Sequence, residues 1–319
     1  MAKIILILKE LLHDAVAASL ELFKVMVPIL ILVKILQELG LITYLAWPLE
    51  PVMRLVGLPA EMGLVWASAI INNIYTGMIV LASLTGDTPL TAAQATVLAV
   101  LMLVAHGLPV ECAISRKSGA RFLFQAVARL AGAFILAWLL HLIYSATGTL
   151  QTPAKMLFTV ETADPSITAW IIGQVKNMVS IMFIILGLLA LMRVLYAIKA
   201  IDLMNRILRP LLNFIGIGPK ASAITVIGLT MGLSYGGGLI INEARNGKVS
   251  KEDIFYSLTL MGLCHSLIED TLLLILIGGH MSGIFWGRLI FAIIAMAGTV
   301  QIVRKMPKHI QTTYLWVEK

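Results

Sequence analysis

Charge is scarce in this chain. Only 13% of its 319 residues are Asp, Glu, Lys or Arg, about half the usual share of roughly 25%. Cysteine occurs twice, at Cys112 and Cys264 in apolar surroundings, so neither a disulfide framework nor a cysteine-based metal site is indicated. Polar stretches are few, and the one credible linker, 147–170, carries Pro153 and Pro165. No nucleotide-binding or hydrolytic domain fits in what remains, and no nucleophile, base and orienting group stand at recognisable spacing. The chain is therefore not read as an enzyme, and neither a cofactor nor a metal site is expected.

What is plentiful is apolar. Hydrophobic residues make up 59% and mean hydropathy is +0.94, a composition that a soluble fold would have to expose to water. An all-α polytopic membrane protein follows. The net charge of +7 then reads as cationic cytoplasmic loops, not as a nucleic-acid surface. Residues 1–18 resemble a signal peptide, yet Glu10, His13 and Asp14 occupy the place of a cleavage site. A retained interfacial or first-span helix is expected there.

The sequence contains itself twice. A shift of 159 residues lays Pro51 on Pro210, Gly57 on Gly216, His106 on His265, Glu111 on Asp270 and Arg129-Leu130 on Arg288-Leu289. Tyr75-x-Gly77 meets Tyr235-x-Gly237 after one insertion. Apolar positions coincide by chance in any membrane protein, whereas matched His, Arg, Pro and acidic positions do not. The division expected is a first repeat at 1–146, an extracytoplasmic linker at 147–170 and a second repeat at 171–319.

Each half holds four apolar runs and an amphipathic stretch: 20–42, 60–84, 92–111 and 122–146 with 45–57, then 172–193, 220–244, 254–278 and 281–303 with 200–216. If all eight runs cross, Lys and Arg divide almost evenly between the two sides. If 60–84 and 220–244 enter and return to the same side, seventeen lie inside, and only Arg54 and Lys155 lie outside. The positive-inside rule favours the second arrangement. Asn72-Asn73 and Gly236-Gly237-Gly238 supply the breaks such hairpins need. Three full spans per half then give the halves opposite orientations, and inverted repeats with paired broken elements are the pattern of secondary transporters.

The phrases I-I-N-N-I-Y-T-G (70–77), L-S-Y-G-G-G (233–238), H-G-L-P-V-E (106–111) and H-S-L-I-E-D (265–270), in the order span, amphipathic helix, hairpin, interrupted span and final span, resemble the nucleoside-recognition or Gate family. That pattern is shared by concentrative nucleoside transporters, the membrane part of bacterial ferrous-iron transporters and spore-maturation-type proteins. The cysteine-proline gate motif of the iron transporters is absent from each half, and so are the hairpin signatures of the nucleoside transporters. The resemblance implies a fold more than a substrate.

Ionisable groups in a bilayer cost about 2.5–3.5 kcal/mol or more, so they tend to face a bundle interior and to function. His106, His265 and Glu269 are candidates for substrate contact or proton handling, with Asn72, Asn73, Tyr75, Gly77, Tyr235, Gly236 and Gly237 lining the hairpin turns. Glu269, Asp270 and Glu111 are candidates for the coupling ion. Bland readings stand beside each: turns at the asparagines and glycines, packing at the tyrosines, interhelical hydrogen bonds at the histidines. Glu111 with Arg129 and Asp270 with Arg288 read equally as structural ion pairs. On one regular helix His265 and Glu269 share a face. Pro109 should unwind the first-half span near Gly107, while Ile268 at the matched place should leave the second more regular. Glu269 has Val110 as its counterpart and no matched cation.

The function expected is proton- or sodium-coupled symport of a small polar, nucleoside-like solute across the bacterial inner membrane, with both termini cytoplasmic. A non-transporting scaffold or regulatory subunit and an ion or divalent-metal permease stay open. The partners expected are the solute, the coupling cation and the bilayer, with no nucleic acid. Ala131-Gly132-Ala133 and Ala295-Met296-Ala297-Gly298 suit close helix packing within the chain or in a homo-oligomer.

Overall fold

The computed structural model describes residues 2–84, 89–157, 166–245 and 249–317. The chain is helical throughout these residues, with no strand beyond two isolated bridges, Thr91 to Pro153 and Ala120 to Trp316. The first half runs α1 (Ala2–Glu38), α2 (Ile42–Ala46), a 3-10 turn at Trp47–Leu49, α3 (Glu50–Leu55), α4 (Met62–Ile71), α5 (Ile74–Leu84), α6 (Ala92–Val104), α7 (Leu108–Lys117) and α8 (Phe122–Thr147). The second half runs α9 (Ile167–Ala197), α10 (Ala200–Ile215), α11 (Pro219–Met231), α12 (Leu233–Arg245), α13 (Lys251–Leu263), α14 (Glu269–Ile275), a π-helical turn at Ser282–Gly287, α15 (Arg288–Lys305) and α16 (Lys308–Tyr314). Of the expected linker, residues 158–165 lie outside the described residues.

Among the described residues, five helical stretches are long and apolar enough to cross a membrane: Lys9–Glu38, Ala92–Lys117, Phe122–Thr147, Ile167–Ala197 and Ser282–Lys305. The sequence led us to expect six. The missing one is the run 254–278, which divides into α13 and α14, so the expectation of a more regular second-half span is wrong. Cys264 is extended (φ −152°) and Ser266 is left-handed (φ +46°), which stops the helix without proline. The first-half break is shorter, with Gly107 left-handed (φ +54°) and Pro109 in the first turn of α7. Glycine takes that conformation without the steric cost a side chain carries.

Around these interruptions the core is densest. Every residue from Val97 to Leu108 and from Ile254 to Leu267 is buried, the mark of helices surrounded by protein on all sides. The outer helices are one-sided. On α9, Ile172, Val175 and Phe183 are exposed while Ile181, Ile185 and Leu188 are buried. On α10, Leu208, Leu212 and Ile215 are buried at helical spacing and Leu203, Ile207 and Phe214 are exposed.

Two helix pairs fold back on themselves and dock on the interruptions. A Cβ on Gly77 would lie 2.9 Å from Ala69 Cβ and 3.2 Å from the Val65 carbonyl, and one on Gly236 would lie 2.4 Å from Gly228 Cα. So α4 lies against α5, and α11 against α12, at glycine distance. The Gly107 amide donates to the Ala69 carbonyl at 2.9 Å, and 160 residues on the Leu267 amide donates to the Leu229 carbonyl at 2.8 Å. The caps match too: Thr91 Oγ1 accepts from the Gln94 amide and Ser250 Oγ from the Asp253 amide. Each broken span is thus held by the hairpin of its own half.

Corresponding helices of the two halves run antiparallel. Arg193, late in α9, reaches Asp14 (2.8 Å) and Glu10 (3.7 Å), early in α1. Tyr144, late in α8, bonds Ser282 at 2.8 Å, whereas Gly132, mid-α8, lies against Phe291 of α15.

The tight hairpin makes a direct stability prediction. Gly236→Ala should destabilise the protein by about 1–3 kcal/mol, because the new methyl meets backbone that cannot rotate away. Gly238→Ala, with open space at its Cβ, should be neutral or stabilising by up to about 1 kcal/mol through helix propensity. Thermal unfolding of the two variants in detergent checks the contrast.

Candidate functional site

The two interruptions meet. His106 follows α6 and His265 follows α13, and each ring turns Nδ1 onto the carbonyl four residues earlier, Met102 or Met261, at 2.8 Å. Their Nε2 atoms then face each other at 3.2 Å, with ring centroids 5.0 Å apart. Both rings are buried.

Glu111, on the first turns of α7, closes the group. Its Oε1 lies 3.4 Å from His106 Nε2 and 3.5 Å from His265 Nε2. Its Oε2 is taken by Nη1 of Arg129 in a short contact. Arg129 also donates from Nε to the Val104 carbonyl (2.8 Å) and from Nη2 to the His106 carbonyl (2.9 Å). One guanidinium therefore neutralises a carboxylate and satisfies two carbonyls freed by the break. Gly262 on α13 makes room for it, since a Cβ there would lie 3.2 Å from Arg129 Cδ.

The second half does not repeat this arrangement. Arg288 is fully buried and donates from Nη2 to Thr271 Oγ1 at 3.1 Å, while its Nε and Nη1 have no hydrogen-bond partner. Among the described residues it makes no ion pair with Asp270, so the expected matched salt bridge is a correction. The position matched to Gly262 is Leu103. Asp270 instead turns toward the histidines: it, His106 and His265 each place a ligand atom within 4.8 Å of the others.

Glu269 is the first residue of α14. It does not share a helical face with His265, because the break at 264–268 separates them. Among the described residues it forms no hydrogen bond or ion pair, and its charge bears on Tyr75 and on Asp270. Tyr75, half-buried on α5, therefore joins the acidic side of the cluster to a mostly apolar crevice between α1, α5, α9 and α14. Gln174, Asn177 and Met178 line that crevice beside it.

The remaining predicted residues fall as follows. Asn73 Oδ1 accepts from the Thr76 amide (2.9 Å) and hydroxyl (3.1 Å), and Asn72 Nδ2 donates to Thr76 Oγ1 (2.5 Å). Both asparagines thus close the turn into α5. Gly77 and Gly236 sit inside their hairpins, not at an open surface. Tyr235 and Gly237 lie on α12, but their surroundings fall outside the described residues. Sequence reasoning missed Gln174, whose buried Nε2 has no partner; an amide inside the apolar run of α9 was the available signal. It also missed that the two histidines would touch, although their repeat-matched positions pointed there.

With this geometry in hand, comparison with known proteins adds a family. Residues 19–115, spanning α1 to α7, match the family model described as Gate, nucleoside recognition. The similarity to that family thus covers about a third of the chain, residues 19–115. The chain is 26% identical over 260 residues to an uncharacterized membrane protein, YvoD, of Bacillus subtilis (strain 168), covering 80% of this chain and 81% of that protein. No solved structure matches.

The asymmetry of the arginines is measurable. Arg129→Met should cost about 3–5 kcal/mol, because it strands the buried Glu111 and two carbonyls. Arg288→Met should cost far less, since it removes two unpartnered donors together with the charge. Midpoints of thermal unfolding in detergent should fall in that order; equal losses would contradict the asymmetry.

Proposed function

We propose that this membrane protein is a secondary transporter of a small polar solute, built as two inverted repeats, 1–146 and 171–319, joined by an extracytoplasmic linker. In this reading α4–α5 and α11–α12 are re-entrant hairpins, both termini are cytoplasmic and the membrane is the bacterial inner membrane. The carrying observation is the meeting of two interrupted helices, one from each half, at a buried polar cluster where His106 Nε2 and His265 Nε2 stand 3.2 Å apart. Broken helices facing each other near mid-membrane are how transporters place carbonyls and side chains around a solute while neighbouring elements keep the backbone satisfied. The antiparallel pairing of α1 with α9 and of α8 with α15 supports the inversion, and the seventeen-to-two charge distribution supports the sidedness.

The family description makes a nucleoside-like solute the first to test. The crevice suits one: the Tyr75 ring can stack on a planar group, and the unpartnered Gln174 Nε2 with Asn177 can bond its polar edge. Glu269 carries the coupling proton or sodium ion. An ionised carboxylate without a partner is costly there, at about 2.5–3.5 kcal/mol or more, so it holds a cation in one state and releases it in another. Asp270 and Glu111 shape the field around it.

Two outcomes check this reading. Cysteine in place of the exposed Lys155 should react with an impermeant thiol reagent in intact cells, and cysteine in place of the exposed Lys117 should not; the reverse labelling contradicts the inverted topology. Glu269→Gln keeps size and hydrogen bonding but removes the titrating group. It should abolish gradient-driven accumulation, measured with the solute that a thermal-shift screen identifies, while leaving assembly intact. Unchanged accumulation with unchanged pH and sodium dependence would make Glu269 structural.

A further inference from the structure

The histidine pair has a chemistry that the transport reading does not use. Each Nδ1 faces a carbonyl oxygen, which can only accept, so each Nδ1 carries the ring proton and each Nε2 presents a lone pair. These two lone pairs and Glu111 Oε1 form a buried triangle with sides of 3.2, 3.4 and 3.5 Å. Three acceptors with no donor among them repel one another unless a positive centre sits between them. A single shared proton bridges two of the three and leaves the third unsatisfied.

A metal ion satisfies all three. The point equidistant from the three atoms lies about 1.95 Å from each, and Zn–N and Zn–O bonds run about 2.0–2.2 Å. A cation raised slightly out of the plane reaches those lengths with no side chain moved. Asp270 lies close by, with a ligand atom within 4.8 Å of those of both histidines. Outer partners are also in place. Metal-binding imidazoles usually donate their other N–H to a carbonyl or carboxylate, as these do to Met102 and Met261, and Arg129 fixes the remaining oxygen of Glu111.

We propose that His106, His265 and Glu111 bind one divalent first-row transition-metal ion of the zinc class, joining the two halves at their interruptions. Two imidazoles favour such an ion over Mg²⁺ or Ca²⁺, which take oxygen ligands. The proposal concerns binding and does not depend on transport, so either reading can fail alone.

The test uses the full-length protein in detergent, stripped with chelator and titrated with Zn²⁺ and with Mg²⁺ by calorimetry, followed by zinc-edge X-ray absorption. The expected result is one Zn²⁺ per chain and none of Mg²⁺, with a first shell of nitrogen and oxygen that includes two imidazoles. His106→Gln and His265→Gln should each weaken Zn²⁺ binding by about 100-fold or more. Wild type binding no more Zn²⁺ than the double histidine variant would overturn the proposal. So would a first shell containing sulfur from Cys112 or Cys264. If the variants do not fold, the absorption spectrum of wild type decides alone, by the presence or absence of the two imidazoles.

Discussion

A helix broken inside a buried core frees carbonyls and amides that must find partners within the protein, and this chain breaks two among its described residues. The rest of the architecture answers that constraint. Near the first break, Arg129 takes the carbonyls of Val104 and His106, and the Ala69 carbonyl accepts the Gly107 amide. At the second, the Leu229 carbonyl accepts the Leu267 amide. The hairpins therefore have a structural duty before any functional one: each supplies backbone partners to the break it covers, and glycines at 77 and 236 let its two helices close tightly enough to do so.

Once the breaks are satisfied, the side chains around them are free for chemistry. The histidines leave their helices at matched places and return Nδ1 to matched carbonyls, and their two Nε2 atoms come face to face. The acids and arginines then break the symmetry. Gly262 admits Arg129 to its carboxylate, whereas Arg288 bonds only Thr271 and leaves Asp270 to the histidine pair.

Much of this was legible in the sequence, for physical reasons. The matched positions could be read because polar residues are rare in an apolar chain, so His106 on His265 and Arg129 on Arg288 stand out. The break in the first hairpin could be read because Asn72-Asn73 punctuates an otherwise continuous apolar run; in the second, the expected break at Gly236-Gly237-Gly238 is a correction, since those glycines lie within α12 and the two helices part at Gly232 (φ +95°). The second interruption could not be read. Nothing in Cys264-His265-Ser266 resembles a helix stop, yet Ser266 is left-handed (φ +46°) and the helix ends there, so helical spacing placed His265 and Glu269 wrongly on one face. The missing Asp270–Arg288 pair was equally hidden, because the repeat-matched positions Glu111–Arg129 and Asp270–Arg288 look alike in sequence. Asn72 and Asn73 look like ligand groups in sequence and cap a turn in the structure.

The central claim is that the meeting point of the two interrupted helices lies on a path through the membrane. Its most direct test is solute uptake into liposomes containing only this protein, under an imposed proton or sodium gradient, with the solute chosen from those that stabilise the protein against heat. The account predicts accumulation above the outside concentration that collapses when the gradient is dissipated. Folded protein that binds the solute and moves none of it would contradict the account and leave a ligand-binding scaffold in its place.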